Sequence, residues 1–278
     1  MDDKKLLALY GLKWNPFRPD MPTEALWEPS ELDSFFFRLE NLVMTGGFAM
    51  ITGEPGLGKS KLLQIIAHRL SRLQDVVVGV MERPQSSLAD FYREMGDLFG
   101  VNLSPANRYG GFKALRTRWH NHIQNTLFRP VLLIDEAQEM ATHSLNEIRL
   151  LASHNFDSQS LLTTLVCGDT RLPEKFRSTA LLSLGTRMKV RLVMEPLSPQ
   201  TLLECLQHSL EQAGAPHLMT QGLKETLVDH AGGNLRILNS MADDLLLQAA
   251  RREAPLLDEK LFHEVFARQP QARKRTAR

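Results

Sequence analysis

Apolar positions along this chain follow two rhythms. Apolar-rich strand candidates occupy residues 48–52, 75–81, 130–135, 160–167 and 189–194, each of strand length. Between them, near 31–45, 60–73, 87–99, 111–127 and 143–153, apolar residues recur every three or four positions, which predicts helices. Strands apolar on both faces and alternating with helices build a parallel sheet covered on both sides. The pattern therefore predicts an α/β fold around a five-stranded parallel sheet. After Glu195-Pro196 the strand rhythm stops. Helical patterns follow at 199–213, 221–231, 235–252 and 258–267. Leu202, Leu206 and Leu210 form one apolar stripe, and Leu238, Met241, Leu245 and Ala249 another. The expected organisation is an N-terminal segment (1–30), an α/β domain (31–196), a small all-helical domain (197–267) and a tail (268–278).

Composition narrows the class. A chain of 278 residues, 43% hydrophobic and 23% charged, can build a large core with a smaller attached domain and still solvate its surface. No apolar run approaches the roughly 18 residues of a membrane span. The charged opening Met1-Asp2-Asp3-Lys4-Lys5 does not read as a secretion signal. Cys167 lies in an apolar run and Cys205 among leucines at helical spacing, so both read as core residues in a reducing compartment. The expectation is a cytoplasmic protein without a membrane partner. The formal net charge is +1, so any nucleic-acid surface must be local.

Chemistry enters just after the first apolar run. Gly53-Glu54-Pro55-Gly56-Leu57-Gly58-Lys59-Ser60 lies between a strand and a helix, the setting a phosphate-binding loop requires. Glycines let the backbone curl so that N–H groups point at phosphate oxygens, and the helix start adds its positive end. Lys59, followed by Ser60 and Lys61, supplies the cation for the β- and γ-phosphates of ATP, and the Ser60 hydroxyl is placed to ligate Mg²⁺. The second signal is Val131-Leu132-Leu133-Ile134-Asp135-Glu136, an apolar strand ending in two carboxylates. Parallel sheets bind ligands at the carboxyl ends of their strands. Asp135 can hold Mg²⁺ through its water shell, and Glu136 can orient or deprotonate the attacking water. Together the two motifs predict ATP hydrolysis.

The chain resembles the AAA+ ATPases, and among them the ExeA-like and transposition-helper group. The resemblance rests on Leu9-Tyr10-Gly11-Leu12-Lys13-Trp14-Asn15-Pro16-Phe17, the loop from Gly53 to Ser60, Asp135-Glu136-Ala137-Gln138, and Gly232-Gly233-Asn234-Leu235-Arg236. It implies that the helical domain is a lid over the nucleotide and that the opening segment packs near the adenine. It implies further that Arg236 reaches the phosphates from the lid, and that Arg187 is offered to a neighbouring subunit's ATP, with Arg177 and Arg191 as rivals. The first sensor falls at Asp169, with Thr170 in reserve.

The group's shorter members are TnsC-like and MuB-like regulators. Their resemblance implies a homo-oligomer, ring or helical filament, that forms on duplex DNA with ATP without reading sequence. It would engage a transposase or another recombination protein and disassemble on hydrolysis. Secretion ATPases of the group continue into a membrane span, and this chain stops soon after its lid, so the secretion role is the alternative. A helicase-loader-like ATPase and a nucleotide-gated adaptor are further ones. Two segments could touch DNA phosphates. One is Arg108 to Trp119, where cations and aromatics interleave; the other is Arg268 to Arg278, with five cations and no acid. The first reads equally as a core helix, since Phe112, Leu115 and Trp119 share helical spacing.

Overall fold

The computed structural model describes residues 3–84, 87–103, 107–126 and 128–266, so the basic tail from Arg268 lies outside the described residues. Helix α1 (Asp3–Tyr10) opens the chain, and α2 (Asp33–Thr45) leads into β1 (Gly47–Gly53) and α3 (Lys59–Ser71). Next come β2 (Val78–Met81), α4 (Leu88–Phe99), α5 (Arg108–Thr126), β3 (Val131–Ile134) and α6 (Thr142–Ala152). A short hairpin, β4 (Ser153–His154) with β5 (Gln159–Ser160), precedes β6 (Thr163–Gly168), α7 (Arg171–Arg177), α8 (Leu182–Gly185) and β7 (Met188–Met194). Helices α9 (Pro199–Gln212), α10 (Gln221–Ala231), α11 (Leu235–Arg251) and α12 (Glu259–Phe266) follow.

Two compact units divide the chain, residues 28–195 and residues 1–27 with 196–278. In the first, the five expected strands form one sheet in the order β2-β3-β6-β1-β7, every pairing parallel. The central strands β1, β3 and β6 are buried at every position, with Thr52, Thr163 and Thr164 buried among their apolar residues. All five strands therefore end on the same edge, where Gly53, Ile134 and Gly168 stop.

The segment from Arg108 to Trp119 belongs to the core. Leu115 and Trp119 are buried, and the Trp119 ring meets Phe99 edge-on at 5.2 Å. Arg108 donates to both oxygens of Glu147, from Nε at 2.9 Å and from Nη2 at 2.5 Å. Arg116 donates to the carbonyls of Leu150, Leu151 and Ser153, closing the end of α6. Of the four cations in that segment, Lys113 and Arg118 turn outward without such partners among the described residues.

Glu147 is a buried carboxylate, 2% exposed, and it also accepts the Tyr92 hydroxyl at 2.5 Å. Burial pushes its pKa up, but the hydrogen bonds from Arg108 and Tyr92 outweigh that and hold it below the ordinary value. Glu147→Gln removes the charge from a buried acceptor and is expected to cost about 1–3 kcal/mol. Melting should fall by about 2–4 °C per kcal/mol. A carboxyl held low stabilises fully above the ordinary glutamate value of 4.5 and loses that contribution as pH falls through the lower folded value. Parent and variant melting curves should therefore converge on acidification; a gap independent of pH would remove the ion pair as its cause.

In the second unit, Leu202, Leu206, Leu210, Leu238, Leu245 and Ala249 are buried together. Ser198, Thr220 and Asn234 cap α9, α10 and α11 by accepting backbone N–H groups. The opening segment is part of this core. Leu6, Leu12 and Phe17 pack into it, Tyr10 Oη donates to Ala254 O at 3.0 Å, and Asn15 Nδ2 donates to Asp243 Oδ1 at 2.7 Å.

Candidate active site

The end of β1 and the start of α3 build the phosphate loop. Gly53 lies so close to β7 that a Cβ would stand 2.6 Å from the Met194 carbonyl oxygen. Gly56 and Gly58 take φ of 89° and 92°, and Gly58 is the residue from which α3 starts. Left-handed backbone on either side of the buried Leu57 curls Glu54-Pro55-Gly56-Leu57-Gly58 into a turn. With the unpaired N–H groups of a helix start, such a turn is an anion cradle. Lys59 is 7% exposed, and its Nζ donates to Gly53 O at 3.0 Å and Glu54 O at 2.8 Å. An ammonium is thus held inside the loop by the loop's own carbonyls. Ser60 beside it is exposed, while Lys61 donates to Gln64 Oε1 at 3.2 Å along the helix.

The acid pair leaves β3 at the same edge. Asp135 N donates to Met81 O at 3.1 Å, and Asp135 Oδ1 accepts Glu136 N at 2.9 Å. Glu136 is exposed and has a left-handed backbone, φ 49°. Its Oε2 accepts the side-chain amide of Gln138. Cys167, buried on β6, is in register with Ile51 of β1, next to the sheet edge where the loop and the acids begin. Burial raises its thiol pKa and the negative charge of Asp135 adds to the rise, while Lys59 opposes it.

Asp169 follows β6. Its carboxylate accepts Arg171 N at 2.9 Å and Arg171 Nε at 2.8 Å, and Arg171 reaches on to Glu139 at 2.6 Å. Arg171 holds Asp169 below the usual carboxylate range, and the charge of Lys59 acts in the same direction. The Asp169 carboxylate is therefore already matched by a cation; Thr170 next to it is exposed. Sequence reasoning missed Arg171 and the contacts of Gln138. An Asp and an Arg two positions apart after a strand is the available signal for the first.

Arg187 precedes β7 and belongs to a different group. It donates to Ser183 O at 2.8 Å and to Asp157 Oδ2 in the turn between β4 and β5. Of its rivals, Arg191 donates to Gly185 O at 2.9 Å and Arg177 is exposed at the end of α7. Arg236 sits exposed in the first turn of α11, in the helical unit, where the dipole favours anions over cations.

Among the described residues no cluster of three or more His, Cys, Asp or Glu side chains could hold a metal alone. A hydroxyl at Ser60 and a carboxylate at Asp135 are hard oxygen donors that suit Mg²⁺ shared with phosphates and water. Such an ion, when bound, neutralises charge on the phosphates. Among the described residues no helix is long and apolar enough to cross a membrane.

Residues 42–176 match the family model described as AAA domain. Residues 42–176 form a P-loop ATPase domain of the AAA+ type. General secretion pathway protein A of Aeromonas hydrophila is 28% identical over 211 residues, covering 74% of this chain and 38% of that protein. The chain thus spans well under half the length of that relative. The Aeropyrum pernix ORC2 protein in its ADPNP–ADP complexes superposes with a TM-score of 0.69 at 15% identity, covering 93% of this chain and 72% of that one. The Aeropyrum pernix ORC1 protein in complex with DNA gives 0.65 at 15% identity, covering 91% and 68%. At these identities the structural likeness shows the fold alone, a parallel sheet followed by a helical C-terminal region.

Proposed function

We propose that this AAA+ ATPase is a nucleotide-timed switch that assembles with copies of itself on duplex DNA in the ATP state, engages a transposase or another recombination protein, and disassembles on hydrolysis. The observation that carries the switch is that the loop holding Lys59 and the pair Asp135-Glu136 leave β1 and β3 at one edge of the sheet, on either side of the end of β6. In this reading Gly53 to Lys61 hold the phosphates, with Lys59 as their principal cation. Ser60 and Asp135 hold Mg²⁺. Glu136 takes a proton from the attacking water as the water oxygen bonds to the γ-phosphorus and the bond to the β,γ-bridging oxygen breaks. Asp169, fixed by Arg171, stands at the sensor position. Arg187 serves a neighbour's site and Arg236 serves the lid.

Two facts support DNA as the platform. Between Asp97 and Asp135 the sequence holds five Lys or Arg and no acid, and Lys113 and Arg118 in that stretch are exposed. One of the structures of the same fold is described in complex with DNA. A second reading, an ATPase of secretion or envelope assembly, is favoured by the 28% identity to General secretion pathway protein A. Imaging and sedimentation with a non-hydrolysable ATP analogue separate them. Duplex DNA is expected to drive ring or filament formation in the ATP state and not with ADP, with affinity falling steeply as salt rises. Mixing Arg187→Ala with Glu136→Gln subunits should restore hydrolysis at those interfaces where an intact Arg187 meets an intact Glu136 of its neighbour; no restoration would remove Arg187 from a shared site. Assembly indifferent to DNA supports the secretion reading.

A further inference from the structure

Glu136 combines features that leave its carboxylate poorly fixed. It is exposed, it follows the end of β3, and its backbone lies at φ 49° and ψ 38°. A side chain with three rotatable bonds on such a residue has no intrinsic reason to hold one orientation. One buried amide supplies it. Gln138 is 8% exposed and sits in the 3₁₀ turn Ala137–Glu139. Both ends of its side chain are committed: Oε1 accepts Asp169 N at 3.2 Å, and Nε2 donates to Glu136 Oε2. The order of the two is forced. A backbone N–H can only donate, so Oε1 must face Asp169, and the NH₂ is left to meet an acceptor carboxylate.

Two other segments are shaped around this amide. Lys175 Nζ on α7 donates to the Gln138 backbone carbonyl at 2.7 Å, pinning the turn. Gly168 at the end of β6 has no Cβ, and a Cβ there would overlap Gln138 Oε1 and stand 3.0 Å from Leu172 Cδ2. The absence of a side chain at 168 is thus matched to the presence of an amide at 138.

We infer that Gln138 is the positioning residue for Glu136, linking the carboxylate that orients water to the end of β6 through a single buried amide. The inference rests on the proposed role of Glu136. It assigns to Gly168 and Gln138, thirty positions apart, one shared task in the chemical step. A movement of the β6 end, where Asp169 and Arg171 lie, can reach the carboxylate through the two hydrogen bonds of the Gln138 amide.

Steady-state ATP hydrolysis and nucleotide binding by the full chain test this. Gln138→Met keeps length and volume and removes both polar atoms. Gly168→Ala leaves Gln138 intact and displaces its amide. Each is expected to lower kcat by about 10–100-fold with ATP affinity within about twofold of the parent, since only the water-orienting geometry is lost. The double variant should be no slower than the slower single, because both changes break one link. Parent-like kcat in Gln138→Met, or losses that multiply in the double variant, would overturn the assignment. Gln138→Met carries the test alone where melting curves report that Gly168→Ala does not fold. Glu136→Gln runs beside them. If it hydrolyses ATP normally, the role of Glu136 fails; if it is inactive while Gln138→Met turns over at the parent rate, only the role of Gln138 fails.

Discussion

Lys59→Ala is expected to weaken ATP binding by at least about a hundredfold, as read by titration with a fluorescent nucleotide or by calorimetry. Hydrogen bonds from a charged donor contribute about 1.5–3 kcal/mol each, and a phosphate cradle uses more than one. The structure adds a second reason. Lys59 Nζ donates to Gly53 O and Glu54 O, so the ammonium also ties the loop to itself. Alanine removes the cation and leaves two loop carbonyls without their donor. Lys59→Met keeps an unbranched stem at this buried position and removes only the ammonium, so comparison with alanine separates lost packing from lost charge. Both variants should lose binding, with the alanine also losing thermal stability. Unchanged nucleotide affinity in either would remove the loop from the site.

Glu136→Gln should leave ATP binding intact and lower hydrolysis by about 10²–10⁴-fold, the usual worth of a positioned general base. The substitution changes the proton-accepting oxygen and almost nothing else, because Glu136 is exposed and carries no packing role. Phosphate release under single-turnover conditions measures the chemical step without product release. The consequence for assembly is the more informative result. If hydrolysis is the timer, the variant should hold the ATP-dependent assembly long after the parent has dispersed, and ADP should fail to dissolve it. Assembly that decays at the parent rate would separate hydrolysis from disassembly.

The architecture was legible because its signals are local. Five apolar runs of strand length and a change of rhythm after Pro196 follow directly from what each strand and helix must bury, and the sheet and the helical region appear where those signals lie. The elements that escaped are short or polar. The hairpin from Ser153 to Ser160 has no apolar alternation, and α7 and α8 are seven and four residues long, too short to establish a period. Pairings across the chain were also out of reach. Nothing near Arg108 announces Glu147, and nothing near Leu6 announces the helical core into which it packs. For the candidate site, loop and acids stood out in the sequence because their spacing is what the proposed chemistry requires. Gln138 could be read only as part of a motif, because its partner is a backbone N–H at Asp169.

The pair between Arg187 and Asp157 joins an arginine that is 33% exposed to a carboxylate that is 42% exposed, at the tip of a turn where Asn155, Phe156 and Asp157 all have positive φ. The Ser153 hydroxyl and, after it, Arg187 hold the Asp157 carboxyl below its usual range. Exposed pairs of this kind are worth about 0–1 kcal/mol. For an arginine that serves a neighbour's phosphate, such a partner is a parking place rather than a lock. In the proposed assembly the guanidinium would leave one anion as it meets another, so subunit contact would be an exchange of counter-charges with a small net balance, and an assembly built on many such exchanges would be undone by the loss of a single phosphate at each site.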